Sequence, residues 1–375
     1  MESKIKLKKS TLIGGIIFLS IILLVTGIYI ASKVMAPSIK YNYYINGILS
    51  DMVGTNLSNY ECNDDVEITF DTKYRAVKHS NLKKKTKCNL YFQETIGSYI
   101  YNYIYAHAKD DSIYTDINDV VGFTNNPNNY VYFNCDDYTK TDTCELWRII
   151  EIKKILDDAN YIYQTKLIRN DKLTVNNIDK FSWNDKGEIT EFNTTKIGKL
   201  LNDAYYNGKS NYEYIEDGNV KLLDFTKVGL KNLTTRSMLL DKAFKMENDF
   251  NVYITADSWY KNEAYGSSID TLVGLPSISD YVLTKMNKCK NMSVSDYKFC
   301  EEKSYLDNDN IWFLNYYSEN NNTYPFHLEN SNISSLSPTF KYSIYPTIYL
   351  NQKVLYNGGN GSSKTPYLLK LEESN

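Results

Sequence analysis

The sequence predicts an α+β chain: an N-terminal transmembrane helix, a small β module, then a mixed outer domain. Three observations carry that expectation. A 23-residue run without charge, residues 10–32, lies between Lys9 and Lys33. Short stretches that alternate apolar and polar residues, the period of half-buried strands, recur from Val66 to Leu350. Segments with the apolar repeat of a helix are few, and they do not alternate with the strands as a βαβ fold requires.

At about 1.5 Å rise per residue the uncharged run spans roughly 35 Å, enough to cross a bilayer's hydrocarbon core. Lys4, Lys6, Lys8 and Lys9 precede it against the single acid Glu2, which keeps the N-terminus in the cytoplasm and places the chain from Ala36 onward outside. A secretory signal has a shorter apolar region, of about 7–15 residues. Pro37 would also follow the cleavage-like Val34-Met35-Ala36, and its fixed ring fits a peptidase poorly. The run is therefore expected to stay as a signal anchor. The expected layout is a cytoplasmic tail (1–9), anchor (10–35), linker (36–60), small β module (61–95), helix and linker (96–129), and an extracellular α+β domain (130–371).

Composition narrows the partners. The chain holds 42 basic and 45 acidic residues; setting aside the four lysines and one glutamate of the tail leaves 38 against 44. An acidic outer region argues against nucleic acid and against an anionic membrane surface as partner. The 35 tyrosines are scattered along the whole chain, which fits use in cores and strands better than one dedicated binding loop.

Six cysteines, Cys62, Cys88, Cys135, Cys144, Cys289 and Cys300, all follow the anchor in three local couples. That is how disulfides closing loops look in an oxidising compartment. Other pairings are open; 62–88, 135–144 and 289–300 is the simplest. A zinc site needs close ligand couples such as C-x-x-C, and none occurs here.

Along the outer chain, Val66-Glu67-Ile68-Thr69-Phe70 and Cys88-Asn89-Leu90-Tyr91-Phe92 read as strands, and Ile96, Tyr99, Ile100, Tyr103 and Ile104 as one face of a helix. The Asn/Asp/Pro-rich stretch 109–129 reads as a loop or linker. Strands are expected at 130–133, 146–150 and 161–168. Asn193 can cap a helix bearing Ile197, Leu200, Leu201, Ala204 and Tyr205, with Gly208 just past its end. A second helix is expected over 236–249, then strands at 252–254, 272–275, 311–314 and 347–350.

Cys62-Asn63-Asp64 through Lys87-Cys88-Asn89-Leu90-Tyr91-Phe92 resembles a Cys-bounded β repeat that follows the anchor in many bacterial surface proteins. Cys144-Glu145-Leu146-Trp147-Arg148-Ile149-Ile150, Ile278-Ser279-Asp280-Tyr281 and Gly358-Gly359-Asn360-Gly361-Ser362-Ser363 are similar to an uncharacterised domain of the same single-pass proteins. That family usually has Arg at Tyr345 and an acid at Asn360. The resemblance implies a surface location and, more distantly, a C-type-lectin-like fold whose first and last strands pair, with 147–150 beside 346–350. It implies no activity, cofactor or catalytic residue.

Motifs for chemistry are weak. Trp183-Asn184-Asp185 spells a tripeptide of calcium-dependent lectins but lacks the upstream Glu-Pro-Asn. Asp307-Asn308-Asp309-Asn310 has no glycine turn after it and fails as an EF-hand loop. There is no H-E-x-x-H, G-x-S-x-G, P-loop or G-x-G-x-x-G. No catalytic, cofactor-binding or metal residue is assigned. The expected function is a membrane-anchored surface protein with a binding or display ectodomain for a glycan or protein. The rivals are a tethered glycan hydrolase, with two carboxylates in a cleft, and a pilin-like subunit.

Overall fold

Thr86-Lys87-Cys88-Asn89-Leu90-Tyr91-Phe92 alternates buried with more exposed positions, and Cys88, Leu90 and Phe92 all point into the first core. This strand is central in a four-stranded sheet, ordered Ile48–Ser50, Ile39–Ile45, Thr86–Phe92, Leu57–Cys62. Ile39–Ile45 runs parallel to it and Leu57–Cys62 antiparallel. Glu67–Asp71 and Ala76–Ser80 form a separate hairpin. The 36–60 segment, expected as a linker, thus supplies three strands.

The computed structural model describes residue 22 and residues 37–372, apart from 73, 108–112, 116–119, 124–127, 158–159, 188–190, 231, 242–243, 247–250 and 308. It divides into two units, Met1–Gln93 and Glu94–Asn375. The α+β expectation is corrected: the fold is mostly β, with 40% strand and 19% helix. No described helix is long and apolar enough to cross a membrane, and the expected anchor lies, Ile22 aside, outside the described residues.

The second unit is built on the long hairpin Glu145–Asp157 and Asn160–Arg169. Thr347–Leu350 pairs with the outer edge of Asn160–Arg169, while Tyr130–Phe133 and Val120–Phe123 pair with successive parts of Glu145–Asp157. Ile113–Thr115 extends the sheet beyond Val120–Phe123, so part of the expected 96–129 linker is strand as well. The lectin-like placement of 147–150 beside 346–350 is corrected too, because Asn160–Arg169 lies between them. The two ends of the expected 130–371 domain do meet: Tyr132 N–H donates to Tyr367 O (3.0 Å) and Tyr367 N–H to Tyr130 O (2.9 Å). Gly361 fits there because its φ is +76° and a Cβ would lie 2.3 Å from Asn128 O.

Trp147, Ile149, Ile150, Glu151 and Ile152 are all buried, so the sheet is covered on both faces. A bulge between Ile149 and Glu151 is held by Asn129, which accepts from Ile149 N–H (2.8 Å) and donates through Nδ2 to Ile149 O (2.7 Å). One core joins Ile150 and Ile168 to the helices Ala256–Ala264 and Ile278–Leu283 and to the meander Ile311–Glu319, Asn322–Glu329, Asn332–Ser335.

Candidate functional site

Among the described residues of the second unit, one buried and one open pocket are lined by polar side chains. The buried one follows from the bulge, beyond which Glu151 sits 2% exposed. Its Oε1 accepts from Tyr260 OH (2.5 Å) and pairs with Lys153 (3.1 Å). Lys166 reaches Asp280 at 2.8 Å, and Asp280 also accepts from Ser277 N–H (2.6 Å) in a capping box that starts Ile278–Leu283. Glu263 accepts from Trp259 Nε1 (3.3 Å) and Asn315 Nδ2 (3.1 Å).

Burial pushes Glu263 up, toward its neutral form. Burial alone would pull Lys166 down, but Asp280, with Tyr349, Glu151 and Glu263, more than offsets that and raises it. The lining carries three carboxyl groups, Glu151, Glu263 and Asp280, against three lysines, Lys153, Lys166 and Lys245. The space they enclose is about 10 Å³, room for one water-sized body, so no sugar ring reaches these acids. Among the described residues no three His, Cys, Asp or Glu side chains gather for a metal.

The open place is a groove of about 180 Å³ between Asn184, Asp185, Thr194, Lys196 and Lys199 on one wall and Tyr212, Glu213, Tyr214 and Ile215 on the other. The first wall is set by Thr195, whose side chain accepts from Gly198 N–H (3.0 Å) and starts the helical turns Lys196–Lys199 and Leu200–Tyr205. Thr195, not the expected Asn193, is the cap; Asn193 donates instead to Asp270 O. The second wall is the strand Tyr212–Glu216, paired with Asn219–Leu223 through Asp217 and Gly218, both at positive φ.

That hairpin is firmly seated. Tyr214 is 1% exposed, accepts from Ser182 N–H (3.2 Å) and stands edge-on to Phe181. Lys341 pairs with Glu216 (2.9 Å) and Asp217 (2.8 Å), and these partners raise its ammonium while it and Lys221 lower Glu216. Lys196 crosses the groove floor, paired with Asp185 (2.6 Å), over the Tyr214 ring (4.2 Å) and donating to Ile215 O. Asp185 of the lectin-like tripeptide therefore serves a lysine. Ile215, Val220 and Leu222 remain 50%, 60% and 56% exposed on the hairpin's outer face.

The cysteines lie away from both places. Cys62–Cys88, Cys135–Cys144 and Cys289–Cys300 are bridged, and none is free. They act as staples; Cys62–Cys88 joins adjacent strands. None of the groove's residues except Asn184 and Asp185 was singled out in the sequence. The Asp217-Gly218 dipeptide between Tyr212-Glu213-Tyr214-Ile215-Glu216 and Asn219-Val220-Lys221-Leu222-Leu223 was the available signal. No known protein family, curated protein or solved structure matches the chain.

Proposed function

We propose that the chain is a cell-surface binding protein, held at the membrane through its uncharged run at residues 10–32 and engaging its ligand outside the cell. The observation that carries the binding reading is the open groove beside Tyr212–Glu216, flanked by exposed Ile215, Val220 and Leu222 on a rigid hairpin. Exposed apolar side chains beside fixed polar groups suit a contact face. The three disulfides and the lysine-flanked apolar run support an outer location. The resemblance to anchored bacterial surface proteins supports the same reading.

Protease added to intact cells tests the location. It is expected to remove the bulk of the protein and leave a membrane-bound stub of about 4 kDa, by the length of a tail plus one span. A full-length protected chain would refute it. Glycan and protein arrays probed with residues 37–375 test the binding; hits weakened by Lys199→Glu or Leu222→Asp are expected, and silence on both arrays would refute it.

A further inference from the structure

The groove wall Tyr212–Glu216 is also a strand edge. We propose that this edge takes an extended segment of a partner protein as a third strand, a segment with a basic and an apolar residue two positions apart. The proposal rests on the binding reading above and names the class of ligand.

Register supplies the first argument. A two-residue turn makes Glu216 and Asn219, the pair beside it, exchange both backbone hydrogen bonds, and the pattern alternates outward. Tyr214 and Tyr212 are then bonded inward to Lys221 and Leu223, while Glu213 and Ile215 turn N–H and C=O away from the hairpin. The Ile215 carbonyl receives the Lys196 ammonium from the groove, as that direction requires. Among the described residues, nothing pairs with Glu213 N–H, Glu213 O or Ile215 N–H. Three backbone groups thus face the groove on a strand that Tyr214 and Lys341 hold in place. Strand addition uses this arrangement: backbone bonds give affinity and alternate side chains give specificity.

Charge and polarity define the segment. On the outer face an added strand sets one side chain beside Glu213 and another beside Ile215. A base suits the first. An apolar residue suits the second, extending the patch of Val220 and Leu222. The residue between them points to the groove floor, where Asn184 and Lys199 favour an acid or an amide. A second copy fits poorly, because antiparallel pairing of this edge with itself sets Glu213 opposite either Glu213 or Ile215.

The test selects from a random linear peptide library against the full chain in detergent micelles. Enrichment of alternating segments with a base and an apolar residue two apart is expected. With a selected peptide, amide exchange at 213 and 215 should slow at least tenfold in the unaltered protein. Glu213→Pro removes the outward N–H together with the carboxylate and leaves the hairpin's own bonds intact; it should weaken binding at least tenfold, beyond the loss of the carboxylate alone. Glu213→Ala, which keeps the backbone, should weaken binding only severalfold and relax the preference for a base. Unchanged exchange at 213 and 215, or an edge that instead pairs with a second copy, would overturn the proposal. If glycans bind and peptides do not, strand addition falls while the binding reading stands; if neither binds, both fall.

Discussion

Asp280 is 1% exposed, yet its carboxylate holds both the Lys166 ammonium and the amide of Ser277, the N-cap of a helix. Asp280→Ala strands a lysine that is 3% exposed, and breaking a buried pair from one side costs about 3–5 kcal/mol. Denaturant unfolding should show that loss, and adding Lys166→Met should recover much of it; a single-variant loss under about 1 kcal/mol would contradict the pairing. His327 makes a second case. It is 1% exposed, beside Trp312 and Tyr342, and burial lowers its imidazole below the ordinary 6.5. The folded state then binds fewer protons than the unfolded one. Stability is full above pH 6.5 and is lost as pH falls from there toward the lowered folded value. His327→Phe should remove that part of the slope in melts taken between about pH 7 and 5, the window set by the shift's direction. Such residues were not legible in the sequence. Glu151 and Tyr260 meet across 109 positions, and no local pattern marks a charge that tertiary packing will bury. The cysteines were legible because each couple closes a short loop.

Among the elements, strands with clean alternation were readable and capped helices only partly so. The expected helix over 236–249 is replaced by Leu233–Ser237, capped by Asn232, whose side chain accepts from Thr235 N–H (2.8 Å), and by the strand Phe244–Met246. The reason is tertiary: Leu240 N–H donates to Tyr349 O (2.8 Å), which draws the chain out of a helical path onto the main sheet. The expected strand 252–254 is likewise a turn, with Ile254 N–H on Asn251 O (3.1 Å), leading to the Thr255 cap of Ala256–Ala264. Residues 272–275 contribute one bridge, Gly274 to Thr347, in place of the expected strand. At the groove, Thr195 both accepts from Gly198 N–H and donates to Phe192 O (2.6 Å) while fully buried. Thr195→Ala should therefore cost about 1–2 kcal/mol, and Thr195→Ser distinctly less, in paired thermal melts. Equal losses for both would place the effect in the methyl group and not in the cap.

At the scale of the molecule, the α+β expectation overcounted helix. The strands at 39–62 and 113–123 are short apolar stretches broken by Asn, Asp and Gly, where pairing with distant partners decides the structure. The meeting of the two ends of the 130–371 stretch was implied by the resemblance to surface proteins, but the neighbours of its strands were misjudged. Thr347–Leu350 is buried along its length and joins Thr165–Ile168, Gly274 and Leu239, contacts far apart in sequence. A chain ending after Tyr345 should lose the cooperative transition of the Glu94–Asn375 unit altogether. Differential scanning calorimetry checks this, and a transition near the full-length midpoint would refute it.

The helix Ile96–His107, which opens that unit, rests against its last hairpin: Thr95 bridges to Leu355, and the Tyr99 and Tyr356 rings stack at 3.5 Å. Chain synthesis runs in one direction, so Tyr99 waits for a partner that is made some 250 residues later. At about 5–20 residues per second that wait lasts tens of seconds. The other side of the helix packs on Asn160–Arg169, where the Tyr101 and Tyr163 rings meet at 5.3 Å, so only the Tyr99 side waits that long. Arrival of Val354–Tyr356 covers that side, so this hairpin sets when the helix becomes fully packed.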